Sequence, residues 1–112
     1  IVYTNAMLFG DFDGILEVPD FNALTFRCRN LMNVTAMFRR SLSDGFDEAL
    51  RNNMEDYEHW FSMFVKGAKI KKNHNTWIHY RKHGETEIVK ACKRMLDIKA
   101  YMRKKYPNIY LG

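Results

Sequence analysis

The sequence of 112 residues has few of the features that mark several common classes of protein. Its two cysteines, Cys28 and Cys92, lie far apart without CxxC or Cys/His spacing, which argues against a disulfide scaffold or a zinc finger. Two reduced thiols, typical of a reducing compartment, are expected, although one disulfide also fits two cysteines. No run of about 18 apolar residues occurs, and no signal-peptide pattern opens the chain. These absences predict a cytoplasmic protein.

Acidic residues are scarce in the second part of the chain. Residues 1–65 contain five Lys or Arg and ten Asp or Glu, whereas residues 66–112 contain thirteen and three. A basic segment of this kind predicts an anionic neighbour. Nucleotide diphosphates, anionic lipid headgroups and nucleic acid all qualify, but no nucleic-acid recognition motif accompanies the charge, so that class is the least favoured.

Hydrophobic residues make up 46% of the sequence, enough for one packed domain, or part of one, over residues 1–112. β-branched and aromatic runs bounded by turn residues predict five short strands, over residues 1–9, 15–18, 32–38, 68–72 and 76–80. A turn is expected at 10–14 and a short helix within 21–28. With the helices below, this pattern predicts a mixed α/β fold.

Apolar residues at helical spacing predict a central helix over residues 54–66. Asn52 or Asn53 is its expected N-cap, and Gly67 is its expected end. In the first turn, Glu55 points to solvent, while Asp56 lies at the edge of the apolar stripe. There the positive end of the helix dipole favours the ionised carboxylate, which by itself explains acidic residues at such a position.

A second helix, long and basic, is predicted over residues 86–105, with Thr86 as its cap and Pro107 as its end. A solvated outer face is the simplest explanation of its charge. A basic amphipathic helix also favours an anionic membrane surface.

Asp11-Phe12-Asp13 spells DxD, and we call residues 11–13 the DxD loop. Two carboxylates one residue apart can reach a divalent cation, which prefers oxygen ligands. A bare DxD is common, however, and an ordinary solvated turn between Gly10 and Gly14 is the favoured explanation of the loop.

Several motifs occur in an order that resembles family 2 glycosyltransferases, and specifically the second half of their catalytic domain. The motifs are Gly45-Phe46-Asp47-Glu48-Ala49-Leu50, Met54-Glu55-Asp56-Tyr57-Glu58-His59-Trp60, Gly67, and Ile78-His79-Tyr80-Arg81-Lys82-His83. The resemblance covers residues 2–83 and is most specific over 34–83. It implies the GT-A fold and a metal-dependent transfer, with inversion, of a sugar from a nucleotide-sugar donor to an acceptor hydroxyl.

The resemblance implies roles for single residues. Glu55 and Asp56 match the family's acidic pair and would be catalytic, with Asp56 as the general base that deprotonates the acceptor hydroxyl. Trp60 would pack under the sugar or in the core, and core packing is the more usual role of such an aromatic.

The motif near residue 80 would bind substrate through Tyr80 and Arg81. His83 would reach the divalent metal, Mn²⁺ or Mg²⁺, or the diphosphate. The family's own metal motif precedes the strand that resembles Val2-Tyr3-Thr4-Asn5, so the DxD loop is not expected to be that motif.

The sequence therefore favours the acceptor-side portion of a GT-A glycosyltransferase, inactive alone because the donor-binding half is missing. Its expected partners are a nucleotide-diphosphate sugar, a glycan or other hydroxyl acceptor, an anionic membrane surface, and a second copy through unpaired strand edges. The alternative, from another class, is a stand-alone basic α/β module that binds nucleic acid or an anionic surface without catalysis.

Overall fold

The computed structural model describes residues 1–83 and 87–112, and over these residues the fold is mixed α/β, which confirms the predicted class. The strands are β1 (Val2–Gly10), β2 (Gly14–Leu16) and β3 (Lys71–Lys82). The helices are α1 (Ala23–Phe26), α2 (Glu55–Val65), α3 (Glu87–Cys92) and α4 (Met95–Lys105). Single 3-10 turns lie at Arg40–Leu42 and Glu48–Leu50.

The three strands form one mixed sheet in the order β2-β1-β3. β2 pairs antiparallel with β1 across the predicted turn, with Ile15 opposite Met7. β3 pairs parallel with β1 on the other side, with His79 opposite Met7. Because β1 and β3 are parallel, their carboxyl ends meet at one edge of the sheet, where the amide of Asp11 donates to the carbonyl of Lys82 over 2.7 Å.

The predicted strand over residues 32–38 is wrong. Only one bridge forms there, between Met37 and Val2. The side chain of Asn30 instead accepts from the amide of Met32 at 3.2 Å, and the carbonyl of Asn33 accepts from the amide of Ala36 at 3.3 Å. Asparagine bonds to nearby backbone compete with a strand ladder, and here they fold the segment into a turn.

The two strands predicted on either side of Asn73-His74-Asn75 are one strand, β3. Its pairing with β1 moves from Tyr3 opposite Lys72 to Asn5 opposite Trp77, so β3 contributes more residues than β1 over the same length. The polar residues therefore form a bulge within the strand and do not end it.

Helix α2 confirms the predicted central helix, and Gly67, with φ +91°, follows its end in the left-handed conformation. The predicted asparagine cap is wrong. Met54 occupies the N-cap position with φ +62°, and no side chain caps the helix there. One free amide of the first turn, that of Tyr57, donates instead to the carboxylate of Asp56 at 2.9 Å.

The buried face of α2 is the centre of the core. Phe61 and Trp60 are almost fully buried on this face, and the Phe61 ring lies 5.7 Å from that of Phe26 and 4.9 Å from that of Tyr106. The Tyr57 hydroxyl donates to the carbonyl of Phe26 at 2.5 Å. These contacts fix α2 against α1 and the C-terminal segment, and so position the first turn of α2.

The C-terminal helix predicted over residues 86–105 is two helices, α3 and α4. The break has a local cause, because the amides of Lys93 and Arg94 bond three residues back, to Lys90 and Ala91, and tighten the turn. The predicted cap, Thr86, lies outside the described residues. Within the described residues no helix has the length and apolar character needed to cross a bilayer.

Candidate functional site

A surface hollow of about 390 Å³ lies beside the N-terminus of α2. Its walls come from the first turn of α2, from the 3-10 turn before it and from two loops, and are formed by Val34, Phe46, Asp47, Glu48, Arg51 and Glu55. Two acidic motifs of the sequence, Phe46-Asp47-Glu48 and Glu55-Asp56, are thereby brought to one place.

The apolar part of the hollow consists of Phe46 and Val34, which are 54% and 59% exposed. The Phe46 ring has its centroid 4.3 Å from that of His59, which is buried beneath it. A large aromatic side chain supported in this way offers a defined apolar surface to a ligand.

The Asp47 wall of the hollow is fixed to α4 by charge. The Asp47 carboxylate accepts from Lys105 Nζ at 2.7 Å and from the hydroxyl of Tyr101, and these bonds lower the pKa of Asp47 to about 2. Lys105 Nζ also lies 3.0 Å from the carboxylate of Glu58, which is only 2% exposed. Glu58 accepts in addition from the Tyr106 hydroxyl at 2.6 Å. We call these five side chains the Lys105 network.

Asp56 is half-buried, as its predicted place at the edge of the apolar stripe requires. The direction of its pKa shift is opposite to the one that the helix dipole favours. Burial raises the pKa of the Asp56 carboxyl and the neighbouring Glu55 adds to this, although the bond from the Tyr57 amide opposes them. Desolvation therefore outweighs the helix dipole here. A carboxylate with a raised pKa is better matched to proton transfer than a fully solvated one.

The backbone that leads into α2 is strained. Asn52 and Met54 both adopt left-handed conformations, with φ +60° and +62°. Asn tolerates this region, but Met does so only at a cost of about 1–2 kcal/mol. The Arg94 guanidinium donates to the carbonyl of Asn52 at 3.2 Å, which helps to hold the turn. Strain of this kind clusters at functional sites, and here it immediately precedes Glu55 and Asp56.

Trp60 lies in the core and is 1% exposed. Its ring stacks on His59 at a centroid distance of 5.1 Å and meets Phe38 edge-on at 5.4 Å. A ligand at the surface cannot touch a side chain in this position. Of the two roles expected for Trp60, the structure shows core packing, and the prediction that it binds substrate has no support.

Tyr80, Arg81 and His83 lie at the carboxyl end of β3. The Arg81 guanidinium lies 4.7 Å from the centre of the Phe9 ring, and Lys82 Nζ lies 5.0 Å from that of Tyr80. These contacts are within the sheet. Among the described residues, no bond or ring contact joins Tyr80, Arg81 or His83 to Glu55 or Asp56, so the predicted site is not assembled as one cluster.

The DxD loop and His83 are neighbours, because Asp11 bonds to Lys82 across the sheet edge. Within residues 1–83 and 87–112, however, no group of three or more His, Cys, Asp or Glu is arranged to hold a metal ion. The metal requirement stays a prediction, and no chemical step below depends on it.

A Ser–His pair lies beneath Phe46 and was not predicted. Ser43 Oγ and His59 Nε2 are 2.6 Å apart, and the amide of Gly45 donates to the same Oγ at 3.0 Å. The tautomer of the ring sets which of these two atoms donates, and the second ring nitrogen is Nδ1. That atom is buried without a hydrogen-bond partner among the described residues, and burial lowers the pKa of His59. Sixteen residues separate the pair, so no local motif reveals it.

Comparison with known proteins adds no relative: no protein-family model, curated protein or solved structure matches the chain. The family resemblance thus rests on the order and spacing of the motifs. The geometry of the hollow is the independent observation beside it.

Proposed function

We propose that the chain is the acceptor-side part of an inverting family 2 glycosyltransferase, and that the hollow beside α2 binds the acceptor. One observation carries the proposal. Phe46, Glu48 and Glu55 belong to two of the motifs that carry the resemblance, and they line the same hollow. Asp56, the expected base, follows Glu55 on the helix and has a raised pKa.

In this proposal Asp56 takes the proton of the acceptor hydroxyl as its oxygen attacks the anomeric carbon of the donor. The new glycosidic bond forms on the face opposite the nucleotide diphosphate, whose bond to the sugar breaks, and the configuration inverts. Glu55, in the wall of the hollow, accepts hydrogen bonds from the acceptor and orients it. Partial burial of Asp56 keeps water from competing for its carboxylate.

The donor is a nucleotide-diphosphate sugar, bound outside this hollow. Tyr80, Arg81 and His83 lie at the carboxyl edge of the sheet, and their substrate- and metal-binding roles stay predictions. The β3 edge, which pairs with no other described strand on its outer side, leaves a homodimer as a further prediction.

The alternative, a non-catalytic basic module, receives less support from α4. Its apolar residues Ile98 and Met102 are buried in the core, and Leu96 is the one large apolar residue of the helix that is mostly exposed, so α4 offers little apolar surface for insertion into a membrane. Contact with an anionic surface would be electrostatic alone, and it stays a prediction.

The test is Asp56→Asn in the protein that carries this chain together with a donor-binding half. Sugar transfer should fall by about 10²–10⁴-fold, as expected for loss of a general base, while donor binding changes little. Asp56→Asn also removes a partly buried negative charge, so the thermal unfolding midpoint of the variant at neutral pH should rise above that of the wild type.

The matched control is Asp44→Asn. Asp44 is an exposed carboxylate paired with Lys66 at 2.5 Å, so neither transfer nor stability should change appreciably. Unchanged turnover in Asp56→Asn would remove Asp56 from the mechanism, whereas the absence of sugar transfer by the unsubstituted protein would leave the alternative class as the better explanation.

A further inference from the structure

We infer that the hollow selects acceptor sugars without negative charge and favours those that carry an ammonium group; as a statement about acceptors this rests on the proposed function. The inference depends on which charges around the hollow are already neutralised and which are not.

Lys105 is already bonded within the protein, to the carboxylate of Asp47 in the wall of the hollow. Its ammonium pairs with both Asp47 and Glu58, at 2.7 and 3.0 Å, and so leaves no positive charge for a ligand. At the hollow itself, Glu48 and Glu55 face a single cation, Arg51. Within residues 1–83 and 87–112, neither Glu48 nor Glu55 forms an ion pair. The hollow is therefore locally negative on a chain of formal net charge +5.

The apolar part of the hollow indicates a ring. Phe46 and Val34 provide adjoining apolar surface, while Glu48, Arg51 and Glu55 provide hydrogen-bonding groups. A pyranose has an apolar C–H face and a rim of hydroxyl groups, which matches both. At about 390 Å³ the hollow is at the small end of ligand sites, typically about 300–1,000 Å³, and suits the terminal sugar of a chain.

Charge then decides between sugars of similar shape. A carboxylate or phosphate on the ring would meet two like charges and only one guanidinium, and such repulsion rejects a ligand more strongly than one added attraction selects it. An ammonium group would gain an exposed ion pair, which corresponds to an affinity increase of about two- to fivefold.

The experiment is a titration of the ¹⁵N-labelled chain followed by amide shifts. The ligands are the disaccharides of glucosamine, N-acetylglucosamine and galacturonic acid. We expect shifts at residues 46–51 and 55, with the glucosamine disaccharide bound about two- to fivefold more tightly than the N-acetylated one and the uronate at least tenfold more weakly. Raising the salt to 0.5 M should narrow these differences, because exposed charges are screened.

Variants separate the two parts of the inference. Phe46→Ala should weaken binding of every sugar, and Phe46→Leu, which keeps bulk in the fold, should weaken it in the same direction. Glu48→Gln should narrow the difference between the amino and N-acetyl sugars. Asp44→Asn, which removes a carboxylate outside the hollow, should change nothing.

Equal binding of the uronate and the amino sugar, shifts confined to other residues, or no binding of any of the three would each overturn the inference. The proposed function fails separately. If the sugars bind in the expected order but Asp56→Asn leaves transfer intact, the mechanism is wrong and the charge selection stands. If transfer depends on Asp56 but proceeds well to a uronate acceptor, the charge selection is wrong.

Discussion

Lys105 holds two parts of the chain together through buried charge, and its removal is the sharpest test of the structure. Its ammonium bridges Asp47, in the wall of the hollow, and Glu58, on the buried face of α2. Lys105→Met preserves the length and the apolar stem of the side chain and removes the charge. Glu58, at 2% exposure, would then keep only the Tyr106 hydroxyl as a donor.

The size of the effect follows from the distances. A pair of unit charges 3.0 Å apart attracts by about 5.5 kcal/mol at an effective dielectric constant of about 20. Part of this attraction is offset by hydration. The Lys105 side chain is 37% exposed in the network, and its ammonium is more fully hydrated once its ion pairs are broken. Removing one partner of a buried pair typically costs about 3–5 kcal/mol, and partial exposure of Lys105 puts our expectation at about 2–3 kcal/mol of unfolding free energy.

Urea unfolding followed by the fluorescence of Trp60 measures this loss. Trp77→Phe serves as the common background, because Trp77 is 41% exposed and Trp60 is buried. Lys104→Met, one residue earlier on the exposed side of α4, is the matched control and should change stability by less than about 0.5 kcal/mol. Glu58→Gln added to Lys105→Met should recover part of the loss, because it removes the unpaired charge.

The pH dependence gives a second readout. Lys105 is the main reason that the pKa of Asp47 is about 2 and below its ordinary 3.8. A lowered carboxyl pKa contributes stability that is present above 3.8 and is lost as the pH falls towards 2. The difference between wild type and Lys105→Met should therefore narrow over that interval. Equal stability of the Lys105 and Lys104 variants would refute the reasoning.

Two further predictions concern other parts of the fold. Burial lowers the pKa of His59, so the folded state disfavours its charged form, and stability should fall as the pH drops below 6.5; His59→Gln should flatten this decline in chemical denaturation, whereas His74→Gln, at an exposed ion pair, should not. Gly10→Ala should cost about 2 kcal/mol or more, because Gly10 has φ +101° and an added Cβ would lie 2.3 Å from the carbonyl oxygen of Lys82. Gly45→Ala shares the positive φ but meets nothing within 4 Å, so a melting temperature as low as that of Gly10→Ala would show that the contact does not matter.

The elements that sequence predicted well are those whose signals are local. Strand β1 is a run of β-branched and aromatic residues that ends at a glycine, and α2 carries a wide apolar stripe that ends at Gly67. Residues 32–38 have the composition of a strand, but the Asn30 side chain accepts from the amide of Met32, and the backbone carbonyl of Asn33 accepts from the amide of Ala36. Composition cannot show that competition, because it depends on which donors and acceptors meet in the fold.

The candidate site was predictable in part. Spacing placed Glu55 and Asp56 in the first turn of a helix, and the motif order led to the Phe46 loop that the structure sets beside Glu55. The pKa of Asp56 was not predictable, since it depends on how far the folded chain buries the carboxyl. For the same reason the Lys105 network was missed: its members span residues 47–106 and become neighbours only when α4 packs against α2.

Ion pairs within the chain account for part of the division of charge along the sequence. The basic second part of the chain indicated an anionic partner, yet Lys105 and Lys66 from that part pair with Asp47, Glu58 and Asp44 from the acidic first part. Some of the positive charge that a count along the sequence attributes to ligand binding is therefore already paired with carboxylates of the same chain. The charge that is not paired within the protein is distributed unevenly over the surface. The hollow keeps unpaired carboxylates, while exposed cations lie on α4 and β3. A neutral or cationic ligand at the hollow and an anionic one elsewhere are therefore compatible on one small chain, and the sequence total of +5 cannot distinguish them.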